Sequence, residues 1–135
     1  MVFSDEMQAL WMPKENPSKK RPSLSRHSKV LVVEDESSVR VLLGRILERG
    51  GYVVSLAEGA AEAREMMVRE RFDVLLCDIV MPGESGMDLA RWAIRTYPDM
   101  AVVMVSVVSD LQVAASAMEM GVYGYVNPLA KTPSS

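Results

Sequence analysis

The sequence predicts an α/β fold in which a parallel sheet is covered by helices on both faces. Five short apolar segments recur along the chain, and stretches with helical spacing of apolar residues separate them. The resulting order is βαβαβαβαβ, which calls for right-handed crossovers between parallel strands. Acidic or hydroxyl residues stand at the ends of three of these segments. Open parallel sheets bind their ligands at that edge.

The composition is typical of one globular domain. The chain has 135 residues, of which 49% are hydrophobic, and its formal net charge is -3. This charge does not favour a nucleic-acid surface, and no apolar run approaches the roughly 18 residues of a membrane span. The single cysteine, Cys77, falls in an apolar segment and fits a small core residue in a reducing compartment. Because the N-terminus lacks the pattern of a signal peptide, we expect a cytoplasmic protein.

Residues 1–28 are predicted to form a flexible tail. Three prolines interrupt this stretch, and Ser, Lys and Arg dominate its second half. Such a composition buries too little apolar surface to offset the entropy cost of ordering. Residues 29–129 are predicted to form the folded domain, and residues 130–135 a C-terminal tail.

The elements of the domain follow from periodicity and from turn residues. Short apolar runs predict strands at residues 29–33, 52–56, 74–78, 101–105 and 122–126. Helical spacing predicts helices at residues 39–49, 60–71, 87–97 and 110–120. Ser37 or Ser38 is the expected N-cap of the first helix, and Gly50 with Gly51 is expected to end it.

The segment after the fifth strand departs from what a doubly wound sheet requires. Only nine residues follow this strand, and Pro128 and Pro133 prevent a useful helix there. A fifth helix would cover the first and last strands. We therefore expect either that the chain is truncated or that another chain covers this face. That other chain could be a second copy in a homodimer.

Three acidic residues from two strands are predicted to converge at the carboxyl edge of the sheet, namely Glu34, Asp35 and Asp78. Carboxylates packed this closely repel one another unless a cation lies among them. Oxygen ligands of this charge favour a hard ion such as Mg²⁺. Ser106 ends the neighbouring strand and offers a hydroxyl. This set suits phosphoryl transfer to a carboxylate, because Asp is a known covalent phosphoryl acceptor.

Each of these residues also has a purely structural interpretation. Acidic residues after a strand often favour the positive end of the next helix, and a Ser after a strand is usually a turn former. Taken one at a time, the structural interpretation is favoured. The combination of acids and hydroxyl on successive strands favours the functional one.

Four segments resemble the motifs of response-regulator receiver domains of two-component systems. They are Val30–Glu36, Cys77–Gly83 together with Gly86, Val103–Ser106, and Gly121–Tyr125. The resemblance covers roughly residues 29–129 in the right order and spacing. It implies a flavodoxin-like fold with the strand order 2-1-3-4-5.

The resemblance also implies the chemistry of the site. Asp78 would accept a phosphoryl group from a phosphohistidine on a sensor histidine kinase. Asp35, Asp78 and the backbone carbonyl of Val80 would bind Mg²⁺ directly, and Glu34 would act through water. The domain would then switch a protein–protein interaction surface in a phosphorelay.

Two further roles and two departures follow from the same resemblance. Ser106 would contact a phosphoryl oxygen, and Tyr125 would be the aromatic whose rotamer follows the shift of Ser106.

The family has a Lys before the Pro that follows the fifth strand, whereas this chain has Asn127, which removes an ammonium that would pair with the phosphoryl group. Val107 is bulky where the family usually has a small residue, and it would restrict access of phosphodonor or hydrolytic water.

Two hypotheses therefore stay open. The first is a phosphorylatable receiver, and the alternative is a degenerate receiver that acts as a phosphorylation-independent interaction module. A nucleotide- or flavin-binding domain is disfavoured because the turn after the first strand is acidic rather than Gly-rich. An enzyme with its own turnover is not expected, since the only histidine, His27, lies in the predicted tail. The kinase, the effector and the output cannot be identified from the sequence.

Overall fold

Five strands form one sheet in the computed structural model. The structure describes residues 16, 17, 19, 24, 25, 27–105 and 111–126. The strands are β1 (Lys29–Val33), β2 (Val53–Ala57), β3 (Val74–Asp78), β4 (Ala101–Val105) and β5 (Gly124–Val126). The described helices are α1 (Ser37–Arg49), α2 (Ala60–Arg69), α3 (Gly86–Thr96) and α4 (Leu111–Met120).

All neighbouring strands pair in parallel, in the order β2-β1-β3-β4-β5. The predicted α/β fold and its strand order 2-1-3-4-5 are therefore confirmed. The segment in which a final helix was predicted to be missing, residues 127–135, lies outside the described residues. Within the described part of the chain, no helix combines the length and apolarity that a membrane crossing requires.

The central strands are buried on both faces, as their continuous apolar runs predict. Alternate residues of each strand point to opposite layers. Leu31 and Leu75 pack with α2 and α3 in one core, and Val30 and Val32 pack with α1 in the other. Strand β2 forms one edge of the sheet, and its Val53 is 45% exposed.

The start of α1 corrects one prediction. The N-cap is Glu36 rather than Ser37 or Ser38, and it makes no side-chain capping hydrogen bond. The backbone amide of Glu36 instead donates to the carboxylate of Glu34 at 3.0 Å. This contact holds Glu36 in an extended conformation, so the first helical residue is Ser37. The loop is thus shaped by the acidic residues rather than by a serine cap.

The described residues before β1 contact the domain. Asn16 is 4% exposed, and its backbone N–H donates to the carbonyl of Tyr123 at 2.7 Å. Its side-chain amide donates to the carbonyls of Met118 at 3.0 Å and Val122 at 2.7 Å. Asn16 therefore supplies a second donor to the Met118 carbonyl in the last turn of α4, beside the N–H of Gly121, and a donor to the Val122 carbonyl just beyond the helix. Leu24 packs against the α1 side of the core.

We expect Asn16→Ala to lower the free energy of unfolding by about 1–3 kcal/mol, because it removes the side-chain donor to the Val122 carbonyl and one of the two donors to the Met118 carbonyl. Urea denaturation followed by far-UV circular dichroism measures this change. Lys19→Ala, which alters an exposed neighbour in the same segment, is the control and should leave stability near the wild-type value. Equal stability of the two variants would contradict the structural role of Asn16.

Candidate metal centre

Three carboxylates meet at the carboxyl edge of the sheet. Asp78 is the last residue of β3, and Glu34 and Asp35 directly follow β1. These two strands are neighbours, with Val33 opposite Cys77 in the register. One carboxylate oxygen from each of the three acidic residues lies within 4.8 Å of the others. The structure therefore brings together the acidic residues that the sequence places at strand ends.

Local hydrogen bonds orient this acidic group. The backbone N–H of Val80 donates to Oδ1 of Asp78 at 3.2 Å, which ties the carboxylate to the following loop. Nη1 of Arg40 donates to the backbone carbonyl of Glu34 at 2.7 Å and to that of Asp35 at 3.4 Å. Arg40 thus organises the backbone of the acidic loop. No role was predicted for Arg40 from the sequence, although its position one turn into the helix after an acidic loop is a usable signal.

Burial and mutual repulsion disfavour the charged forms of these acids. Glu34 is only 4% exposed, and burial is the main reason why its pKa rises to about 8. The nearby charge of Asp78 raises it further, while the amide of Glu36 opposes the shift. Burial also raises the pKa of Asp78, against the opposing hydrogen bonds from Glu34 and Val80. A cation at this position would relieve the cost of ionising both groups.

The donor set fits Mg²⁺. All three side chains supply carboxylate oxygens, which are the ligands that this hard cation prefers. Val80, whose backbone carbonyl is the fourth predicted ligand, lies two residues after Asp78 and is 71% exposed. The loop that contains Val80 therefore borders the acidic group on its solvent side.

Of the remaining predicted site residues, the structure describes Tyr125 but not Ser106. Tyr125 lies in β5 opposite Met104, is 5% exposed and belongs to the α2 and α3 side of the core. Val105 pairs with Asp78 at the end of β4. The residues whose predicted roles lie outside the described part of the chain are Ser106, Val107 and Asn127.

The loop between β3 and α3 packs closely on Asp78. The N–H of Gly86 donates to the carbonyl of Ile79 at 3.0 Å, which folds the loop back onto the end of β3. A Cβ atom at Gly86 would lie 1.8 Å from the carbonyl oxygen of Asp78, so only glycine fits there. Ser85 caps α3 by accepting from the N–H of Asp88 at 3.2 Å. Gly86, one of the residues that carry the family resemblance, is thus required here by the close approach of backbone atoms.

One group of contacts beside this loop was not foreseen. Arg64 of α2 forms an ion pair with Glu84 of the loop, and its guanidinium lies over the ring of Trp92 of α3. The residues are separated along the chain by a strand and a loop. Local periodicity therefore carries no signal for their contact.

Comparisons with known proteins agree with the fold. The family model of the response regulator receiver domain matches residues 30–131. The DNA-binding transcriptional regulator NtrC of Escherichia coli (strain K12) is 37% identical over 97 residues, which are 72% of this chain and 21% of that protein. The chain thus spans about a fifth of the length of this relative.

Solved structures give the same assignment. A response regulator receiver domain protein from Clostridium thermocellum matches with a TM-score of 0.71 and 31% identity, covering 77% of this chain and 84% of that one. The response regulator TrrA of Thermotoga maritima, in complex with Mg²⁺-BeF, matches with a TM-score of 0.66 and 28% identity, covering 78% and 88% of the two chains. With its sheet order, its acidic group and a family match over residues 30–131, this chain belongs to the response regulator receiver domain family.

Proposed function

We propose that the chain is a Mg²⁺-dependent phosphoryl acceptor in two-component signalling, with Asp78 as the residue that is phosphorylated. The observation that carries this proposal is the group of carboxylates from Glu34, Asp35 and Asp78 at one edge of the sheet. Membership of the receiver domain family supports the same chemistry. The match to TrrA in complex with Mg²⁺-BeF supports the choice of ion.

The transfer is a displacement at phosphorus. A carboxylate oxygen of Asp78 forms the new bond to phosphorus, the bond from phosphorus to the histidine nitrogen of a sensor kinase breaks, and the imidazole leaves. Asp35, Asp78 and the backbone carbonyl of Val80 would hold Mg²⁺, and Glu34 would act through water. When bound, Mg²⁺ neutralises the charge of the carboxylates and of the incoming phosphoryl group.

Ser106 and Tyr125 complete the proposed switch. The hydroxyl of Ser106 contacts a phosphoryl oxygen, and Tyr125 changes rotamer as Ser106 moves. The chain then alters its affinity for a partner protein and has no multiple-turnover chemistry of its own. Full-length relatives such as NtrC contain about four fifths of their sequence outside the matched region, so the output of this chain depends on parts or partners that its own sequence does not name.

A degenerate receiver is the second candidate function. Asn127 stands where the family has a Lys before proline, and Val107 is bulky beside the hydroxyl position. Without the ammonium, the phosphorylated state is less stabilised, because a point charge that pairs with the phosphoryl group is lost. In this case the domain binds its partner independently of phosphorylation.

Acetyl phosphate with Mg²⁺, followed by intact-protein mass spectrometry, separates these two functions. We expect one acid-stable, base-labile phosphoryl adduct in the wild type and in Asp99→Asn, which changes an exposed carboxylate away from the site. Asp78→Asn should form no adduct, because the amide is not a phosphoryl acceptor. If the wild type forms no adduct and beryllofluoride with Mg²⁺ leaves its fluorescence unchanged, the phosphoacceptor function is wrong and the degenerate receiver is favoured.

A further inference from the structure

Arg64 joins three separate parts of the domain through two contacts. Its Nε donates to Oε1 of Glu84 at 3.0 Å, and its Nη2 pairs with Oε2 of the same carboxylate. Its Cζ lies 4.5 Å from the centroid of the Trp92 ring. We call Arg64, Glu84 and Trp92 the Arg64 clamp. It links α2, the loop between β3 and α3, and α3 itself.

The ion pair between Arg64 and Glu84 is expected to be more stabilising than an ordinary surface ion pair. Both N–H groups of the guanidinium fork face one carboxylate, and such bidentate pairs are the more rigid and stabilising kind. The side chains of Arg64 and Glu84 are 32% and 31% exposed, so solvent screens them only in part. The guanidinium also makes a cation–π contact with the ring of Trp92. By contrast, Arg69 and Glu65 on the outer face of α2 are 4.0 Å apart and more than two thirds exposed.

The clamp fastens the loop to a rigid element. Ala63 and Met67, on either side of Arg64 along α2, are buried in the core, so the helix cannot move easily relative to the sheet. Glu84 lies in the same loop as Val80 and directly precedes Ser85, the N-cap of α3. The contact between Arg64 and Glu84 therefore restrains the second half of the loop, residues 82–85, which follows directly on Val80 and Met81.

The start of this loop is anchored in the core through Ile79 and Met81, which are each 8% exposed, but several residues between its two ends are exposed. Val80 is 71% exposed, and its described hydrogen bond runs from its N–H to Asp78. Pro82 and Gly83 are also exposed, and Gly83 adopts a φ of 80°. Exposed residues of this kind depend on the neighbouring anchored residues for order. Ile79 and Met81 anchor the start of the loop, and the Arg64 clamp and the cap of α3 hold its end.

We propose that Arg64 is a positioning residue for the metal site, which it serves by holding Glu84 and thereby the loop whose Val80 carbonyl binds the cation. This inference rests on the proposed function, since it needs Mg²⁺ at the acidic group. Arg64 touches neither the cation nor the phosphoryl group. Its contribution is to restrict the loop to the conformation in which the Val80 carbonyl and the carboxylates face one ion.

The test compares Mg²⁺ affinity and loop mobility in matched variants. Isothermal titration calorimetry with Mg²⁺ alone should give an affinity about tenfold weaker for Arg64→Ala and for Glu84→Gln, the low end of the effect of groups that orient metal ligands. Arg64→Lys keeps the charge but loses the fork, so it should recover only part of the affinity. Arg69→Ala, on the same helix, should bind as the wild type does. Amide hydrogen exchange of residues 79–86 should be faster in Arg64→Ala.

The outcomes separate this inference from the proposed function. Wild-type affinity for Mg²⁺ in Arg64→Ala, even with lowered stability, would reduce the clamp to a structural ion pair and overturn the inference. If the wild type itself binds no Mg²⁺, the proposed function fails. Amide hydrogen exchange then tests whether Arg64 restrains the loop. Unchanged exchange of residues 79–86 in Arg64→Ala would show that it does not. Partial recovery in the charge reversal of Arg64→Glu with Glu84→Arg would support the ion pair as the restraint on the loop.

Discussion

Replacing Gly86 by alanine should destabilise the domain by about 3 kcal/mol or more, the upper range for overpacking a closed site. The added Cβ would lie 1.8 Å from the carbonyl oxygen of Asp78 and 2.9 Å from Cα of Ile79. Both neighbours are backbone atoms at the end of β3, so neither can rotate away as a flexible side chain does. The loop must shift, and the hydrogen bond from Gly86 to Ile79 is lost with it. Urea denaturation measures the change in stability.

Two other glycines serve as controls for Gly86→Ala. Gly59 has no atom within 4 Å of the position of a Cβ, so Gly59→Ala should change stability by less than about 1 kcal/mol. Gly83 has equally free space but a φ of 80°, so Gly83→Ala should cost about 1–2 kcal/mol from backbone strain alone. A Gly86→Ala variant as stable as Gly59→Ala would show that the loop does not pack on Asp78 in this way.

The stability of the metal-free protein should fall as pH rises from about 4.5 to about 8. Burial raises the pKa of Glu34 in the folded protein from 4.5 to about 8, whereas the unfolded chain ionises near 4.5. Within this window the folded state binds more protons than the unfolded state, so each increase in pH favours unfolding. One such group contributes a slope of at most about 1.4 kcal/mol per pH unit. The raised pKa of Asp78 acts in the same direction.

Thermal or urea unfolding in chelator across this pH range measures the effect, and Glu34→Gln isolates it. The amide cannot ionise, so the profile of this variant should be flatter and its stability at pH 8 higher than that of the wild type. Glu65→Gln, an exposed glutamate on α2, should keep the wild-type slope. Mg²⁺ should flatten the wild-type profile, because it stabilises the ionised carboxylates. Parallel profiles of stability against pH for the wild type and Glu34→Gln would contradict a raised pKa of Glu34 in the folded protein.

The elements and their order could be predicted because they depend on local pattern. The runs Val30–Val33 and Val74–Cys77 are apolar at every position, which a strand buried on both faces requires, and the intervening helices show the spacing of one apolar face. Parallel strands place their carboxyl ends at one edge, so Glu34, Asp35 and Asp78 could be expected to meet before any distance was known. The order of the strands required the resemblance to a family, because periodicity does not say which strands are neighbours.

Contacts between distant parts of the chain were decided by the tertiary structure alone. Asn16 binds the carbonyl of Met118 across 102 positions of sequence, although composition placed it in a predicted tail. Arg64 and Glu84 meet because α2 and the loop pack on the same face of the sheet. The N-cap of α1 is Glu36 rather than a serine, and the backbone N–H of Glu36 donates to the carboxylate of Glu34. Local sequence sets which residues form strands and helices, whereas these contacts depend on how the elements are oriented in the folded chain.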